Sequence, residues 1–298
     1  MTDQRRSAAV GFHSGELAVQ QQAGVQAQAA RLTPMVARGE LRAGMAAFVS
    51  AATFAAITAR DRTGRLWTSP LLGPPGLLQA ASPTTLRINT TMPDADPLHA
   101  LPDVQPVGVI VIDFTTRRRV RINGILTDAS SGGLMVDVAQ AYGNCPQYIQ
   151  QRSLHIDASH RDQGRSQLLR GNMMRPEDIR LVQAADTFFL GTTHPDSGND
   201  ASHRGGPAGF VRAAPEHLWW PDYPGNNMFN SFGNLSVDPT AALLFVDFRT
   251  GTTLQLSGTA AVHWGDPTAG GDDAHTGRRM QFTTEQVIAT TVPTALSS

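Results

Sequence analysis

The chain has 298 residues, 41% of them hydrophobic, which is enough apolar material for one large core or two ordinary ones. A formal net charge of −1 argues against a nucleic-acid binder, which needs a basic stripe. All 24 residues counted as lysine or arginine are arginines and Cys145 is the single cysteine, so lysine Schiff-base chemistry, an intrachain disulfide and a thiolate metal cage are excluded.

Met1 to Val10 is polar, without the apolar stretch of a secretion signal, and the longest apolar run, Val107 to Ile112, is far short of a membrane span. The expectation is a cytoplasmic protein without membrane contact. Gly15 to Arg31 is rich in Gln and Ala and predicts a helix, with Ser14 as N-cap and Glu16 in its first turn. The apolar segment Ala46 to Ala59 meets the turn Asp61-Arg62-Thr63-Gly64. Val107 to Ile112 suits a strand buried on both faces, and Arg119-Val120-Arg121-Ile122 alternates as a strand with one wet face does. Arg117 to Arg119 reads as a solvated turn. Cys145 stands before Pro146 at an expected helix start and reads as buried and inert.

Residues 151–175 are charged and contain glycine, as a linker does. Pro176-Glu177-Asp178 opens a short helix, with proline early and acids at the positive end. Thr187 to Thr193 is the next apolar strand, followed by the turn Pro195-Asp196-Ser197-Gly198. That turn accounts for His194 near Asp196 and Asp200, so no metal site is expected. Asn230 to Val237, closed by Pro239, predicts a helix; Ala241 to Val246 and Thr253 to Leu256 predict strands. A dinucleotide fingerprint, a P-loop, HExxH and GxSxG are all missing from the sequence.

The strongest internal signal is a repeat. Ala51, Thr53 and Phe54 recur as Ala185, Thr187 and Phe188 at an offset of 134, as do Asp113, Phe114, Thr116 and Gly124 as Asp247, Phe248, Thr250 and Gly258. Between them Gly73, Pro74 and Gly76 match Gly206, Pro207 and Gly209 at 133, a slip of one residue. Many short antiparallel strands in each copy point to two barrels, mainly β with flanking helices. The expected division is 1–150 for a helix and first barrel, 151–175 for the linker and 176–298 for the second barrel.

The densest polar cluster lies in the second copy. It runs Asp200-Ala201-Ser202-His203-Arg204-Gly205-Gly206, then Trp220-Pro221-Asp222-Tyr223-Pro224-Gly225-Asn226-Asn227, then Asn230, Ser231 and Asn234. Asn and Gly permit left-handed turns whose N–H groups converge on an anion, and Arg204 offers a fork of donors to phosphate oxygens.

These two motifs, with Leu254-Gln255-Leu256-Ser257-Gly258, resemble the pyridoxamine 5′-phosphate oxidase-like FMN-binding split barrels. The chain from Gly11-Phe12-His13-Ser14-Gly15-Glu16 through Tyr142-Gly143-Asn144-Cys145-Pro146 is similar to tandem members of that family. The resemblance implies FMN as cofactor, held by Ser202, Arg204, Gly205, Pro224, Gly225, Asn226, Asn227, Ser231, Asn234 and Gln255. It leaves His203 and Tyr223 as candidate catalytic residues. Single-barrel relatives place arginine where this chain has Tyr223 and Met228, and a basic residue where it has Gln255. Replacement charge would come from Arg117 to Arg119, Arg121, Arg152 or another subunit.

The first copy has Ile88-Asn89-Thr90-Thr91-Met92-Pro93 where the second has its Pro-Gly-Asn-Asn loop. It therefore reads as a partner wall, with one flavin per chain at the seam between copies. The implied function is an FMN-dependent oxidoreductase that passes electrons or hydride from a reduced donor, NADH or NADPH, to oxygen or a small organic substrate. The alternatives are a non-catalytic flavin- or haem-binding module and a deazaflavin barrel. Family barrels pair, which leaves a homodimer open.

Overall fold

A computed structural model describes residues 11–37, 39–130, 132–156, 168–266, 274–291 and 296–297. The first copy opens with α1 (Ser14–Gln22), α2 (Gln26–Ala30), α3 (Thr33–Val36) and α4 (Ala43–Ala51). It then forms β1 (Phe54–Arg60), β2 (Leu66–Leu72), β3 (Leu78–Ser82), β4 (Thr85–Ile88), β5 (Gln105–Asp113), β6 (Arg118–Ser130) and β7 (Gly133–Gly143). The short strand β8 (His155–Ile156) pairs with the last strand, and β9 (Leu168–Gly171) lies within the stretch expected as a linker. The second copy holds α5 (Pro176–Ala184), β10 (Thr187–His194), β11 (Gly198–Gly205), β12 (Arg212–Ala213) and β13 (His217–Pro221). It continues with α6 (Asn230–Val237), β14 (Thr240–Val246), β15 (Thr252–Trp264), β16 (Arg278–Thr291) and β17 (Leu296–Ser297).

The two main sheets repeat one topology. The first runs β2-β1-β5-β6-β7-β4-β3 and the second β11-β10-β14-β15-β16-β13-β12, all antiparallel, with β9 added beside β16. Each strand of the first order has its counterpart at the same place in the second. Both are split β-barrels, as the repeat predicts.

Each barrel fills its own interior. Ile57, Leu78, Val109 and Ile122 pack inside the first, and Phe188, Leu243, Trp220 and Phe282 inside the second. A third apolar cluster lies between the barrels and draws on both. Ile110, Ile112 and Phe114 meet their own repeat partners Leu244, Val246 and Phe248, joined by Phe54 and Phe189. Phe114 and Phe248 cross edge to face at 5.1 Å between centroids, a favoured aromatic geometry. The outward side chains of β5 and β14, which would face water in an isolated barrel, thus form the seam. That is why both strands read as continuous apolar runs.

Three readings need correction. The helix expected over Gly15 to Arg31 breaks after Gln22, because Gly24 takes φ +69, a left-handed conformation that ends a helical turn. The apolar segment from Ala46 divides into the end of α4 and the start of β1, since a run apolar throughout fits either period. No helix starts at Pro146, and Cys145 is exposed rather than buried.

Glycine sets the closest approaches. A Cβ on Gly108 in β5 would stand 2.6 Å from the Asp200 Cα in β11 across the seam. A Cβ on Gly15 or Gly233 would run into the other helix where α1 crosses α6. That crossing buries Glu16, whose carboxylate accepts from the His13 backbone N–H at 2.8 Å and from the Asn230 amide.

Gly108→Val should therefore lower the melting temperature by several degrees, in line with about 1–3 kcal/mol for overpacking. Gly44→Ala, in open space near the start of α4, should not. Equal thermal denaturation curves for the two variants would rule out the close seam.

Burial pushes the Glu16 carboxyl up to about 7, against the hydrogen bonds from His13 and Asn230. The fold thus prefers the neutral acid. Its contribution is whole below pH ~4.5 and is lost, up to about 3 kcal/mol, as pH rises through ~7. Glu16→Gln cannot titrate, so its melting temperature relative to the parent should rise between about pH 5 and about pH 8. Parallel pH profiles would mean that Glu16 ionises normally.

Candidate functional site

A cleft opens where the two barrels meet. The second copy supplies His203, Arg204 and Gly205 from β11, then Tyr223, Gly225, Asn226 and Asn227 from the loop, and Ser231 and Phe232 from α6. The first copy supplies Arg119 and Arg121 from β6, and Asn144, Cys145 and Tyr148 from the segment after β7. Arg278 of β16 completes it. The enclosed part measures about 110 Å³, below the roughly 300–1,000 Å³ of a full small-molecule site, so a larger ligand must extend beyond it into the open mouth.

The loop between β13 and α6 is shaped by its asparagines. Asn227 has φ +61, a left-handed conformation that asparagine tolerates well, and the Asn226 side chain accepts from the Met228 N–H at 3.1 Å. The Asn226 amide donates to Asn144 Oδ1 at 2.7 Å, tying the loop to the first copy. At the rim Tyr223 stacks on Tyr148 at 5.1 Å, and the Tyr148 hydroxyl donates to the Pro224 carbonyl at 3.0 Å. Gly205 is obligatory here, because any Cβ would strike the Tyr148 carbonyl oxygen.

Charge in the cleft is unbalanced. Arg121 Nη1 meets Asp200 Oδ2 at 2.8 Å, and Arg278 Nε meets Asp222 Oδ2 at 2.8 Å. Arg204 shares Asp222 at a looser 3.4 Å and lies over the Phe232 ring. Among the described residues Arg119 donates only to neutral acceptors: the Cys145 carbonyl, the His203 carbonyl and His203 Nδ1 at 2.7 Å. Four guanidiniums therefore face two carboxylates. Burial, with Arg121 and Arg204 nearby, pulls the Arg119 guanidinium down to about 9, still charged at neutral pH.

His203 is neutral. Burial holds its imidazole well below the usual value, and four surrounding arginines, Arg119 first, add to the effect. Since Arg119 donates to Nδ1, the ring proton sits on Nε2, which has no partner. Among the described residues, buried Arg121 Nε, Arg204 Nε, His203 Nε2, Asn144 Nδ2 and Trp220 Nε1 all lack an acceptor, and all five residues line this cleft. Each is a donor. Such donors suit a group rich in acceptors.

His203, Tyr223, Arg204, Gly205, Gly225, Asn226, Asn227 and Ser231 thus come together. Pro224 sits at the rim through its carbonyl, and Ser202 lies one residue from the lining with its buried hydroxyl unpartnered. Asn234 and Gln255 lie elsewhere. Asn234 accepts from His13 at 2.9 Å and donates to Thr192 at 2.9 Å, so it fastens α6 to the N-terminal segment and β10. Gln255 pairs with Leu244 just as Arg121 pairs with Ile110, which makes it the repeat counterpart of Arg121. It lies in the mirrored position, where its amide donates to the Thr68 carbonyl, Ser69 and Asp96. The same ladder registers set Thr253 and Leu71 opposite Arg119 and Arg204, so the mirrored position has lost all three arginines.

Arg278 and Asn144 also line the cleft, at places that depend on strand pairing and carry no local sequence signal. Arg152 pairs with Asp186 at 2.6 Å and stacks on Phe248, outside the cleft. Of the arginine run, Arg117 and Arg118 are exposed and only Arg119 turns inward. His194 Nδ1 accepts the Asp196 and Ser197 backbone N–H groups, which makes it a hairpin cap.

Residues 174–276 match the sequence family described as pyridoxamine 5′-phosphate oxidase. No curated protein sequence matches the chain. Solved structures similar to it include a putative pyridoxamine 5′-phosphate oxidase from Lactobacillus delbrueckii, at 18% identity and TM-score 0.32, covering 39% of this chain and 94% of that one. The heme storage protein HutZ from Vibrio cholerae follows at 12% identity and TM-score 0.29, covering 38% and 93%. An FAD-binding protein from Mesorhizobium loti shows 14% identity and TM-score 0.30, covering 45% and 99%. No helix among the described residues is long and apolar enough to cross a membrane. The second copy, over residues 174–276, thus matches the pyridoxamine 5′-phosphate oxidase family, and the first copy repeats its sheet order.

Proposed function

We propose that the chain is an FMN-dependent oxidoreductase with one cofactor site, at the seam of its two barrels. The observation that carries this reading is the set of five unpartnered donors beside two uncompensated arginine charges. A phosphate monoester carries about −1.5 to −2 at neutral pH and three acceptor oxygens, so it matches both the charge and the donors. Arg119 and Arg204 would take its oxygens, with the Asn226-Asn227 turn closing over the tail. Bound there, FMN would supply electron or hydride transfer between a reduced donor such as NADH or NADPH and oxygen or a small organic acceptor.

The residues themselves position rather than react. His203 presents a fixed Nε2–H and resists protonation, so it serves as a hydrogen-bond donor and not as an acid at neutral pH. That same proton leaves Nε2 without the lone pair that a haem iron requires, which favours flavin over haem at this residue. Tyr223 belongs to the rim stack and would border the open mouth.

Purified protein should show flavin absorption, release close to one FMN per chain on denaturation, and bleach anaerobically with NADH or NADPH. A Soret band, or a colourless protein that ignores added FMN, would overturn the reading. Arg119→Ala should weaken FMN binding at least tenfold, as expected for one charge-assisted contact of about 1.5–3 kcal/mol. Its melting temperature without flavin should stay level or rise, because the guanidinium has no carboxylate and crowds Arg121 and Arg204. Arg62→Ala, on the exposed turn after β1, should leave FMN affinity unchanged.

A further inference from the structure

A second cavity, of about 500 Å³, lies behind the cleft and shares Asn230 with it as a wall. Its chemistry is the reverse. Glu16, Asp137, Asp196 and Asp200 line it, and no arginine does. The exposed Asp137 and Asp196 carboxylates have no ion-pair partner among the described residues, whereas Asp200 is paired with Arg121 and burial holds Glu16 toward its neutral form.

Two buried side chains lining this cavity hold unused acceptors. Asn123 is 8% exposed and donates through Nδ2 toward Asp200 and Gln140, while its Oδ1 has no partner among the described residues. His13, whose side chain is 9% exposed, donates from Nε2 to Asn234, so Nδ1 carries a lone pair that no described residue meets. Burial pushes this imidazole down to about 4, so the lone pair persists at neutral pH. The mouth is apolar where Val104 and Ile125 stand exposed beside it.

We propose that this cavity is a second small-molecule site, one that takes an amphipathic amine: an ammonium group beside Asp137, Asp196 and the acceptors of Asn123 and His13, and an apolar body against Val104 and Ile125. The volume falls within the range of small-molecule sites, and the sign of its lining rejects carboxylates and phosphates. The Arg121–Asp200 pair divides the two chambers, with the arginine lining the cationic cleft and the aspartate the acidic cavity.

The test uses the full-length chain, with and without saturating FMN, and phenethylamine as probe with hydrocinnamate as its charge-reversed counterpart. Calorimetric titration should register phenethylamine binding in both states and none for hydrocinnamate. Asp137→Lys, an exposed change at the wall, should weaken the amine at least tenfold while leaving FMN affinity and the circular dichroism spectrum unchanged. Ala139→Phe, which fills the cavity without changing its charge, should abolish binding. Equal binding of the two probes, binding of neither, or an amine that FMN displaces in simple competition would each overturn the proposal. Failure of FMN to bind would leave it standing, because the cavity's residues act on the amine alone.

Discussion

The arrangement depends on one buried contact across the seam, the Arg121–Asp200 ion pair. Its side chains are 10% and 3% exposed, so both charges have left water. A pair so placed regains its desolvation cost only with good geometry and further hydrogen bonds, and an apolar pair of similar volume is often as stable or more so. Asp200 has those further bonds, from Asn123 at 3.3 Å and Ser231 at 3.4 Å. Stability alone does not account for the pair. It fixes the register of β6 against β11 and sets opposite charge on opposite sides of one wall.

Duplication explains how a single chain builds such a wall. The repeated sheet order gives the two barrels a pseudo-twofold relation, so that β6 approaches β11 on one side as β15 approaches β2 on the other. Two symmetric barrels would offer two equal sites. Here the copies have diverged. The second keeps the glycine and asparagine loop, and the first keeps the arginines of β6 that reach across to it. In the mirrored position Thr253, Gln255 and Leu71 stand in for the three arginines, and Asp96 closes against Gln255. Burial pushes that carboxyl up to about 6, as befits a group sealed in rather than facing a ligand. Neither barrel alone holds a complete cleft.

Much of this was legible from the residues. Asn230 to Val237 is the helix that its flanks predict, and the apolar runs Val107 to Ile112 and Ala241 to Val246 are buried strands because they form the seam. The turn at Gly225 to Asn227, which lines the cleft, carries a compositional mark, because left-handed turns favour glycine and asparagine. Gln255 lies outside the cleft, because its motif is local while its place depends on which copy's strand it faces. Arg278 and Asn144 carry no local mark, and only strand pairing brings them to Arg204 and Asn226. Asn234 carries the right residue type in the right helix, but His13 and Thr192 already occupy its amide.

The cleft as it stands is a strained electrostatic arrangement. Arg119 is held by carbonyls and a neutral imidazole within reach of Arg121 and Arg204, and burial disfavours its charge further. A guanidinium cannot escape by losing its proton at neutral pH, so the repulsion persists. The fold tolerates this because Arg121 and Arg278 are each closely neutralised and the apolar seam beneath is extensive. An anion binding only the folded chain would supply the absent counter-charge and stabilise the fold by mass action. The charge imbalance that costs the fold would favour an anion in the cleft, and it requires both copies of the repeat to be packed together.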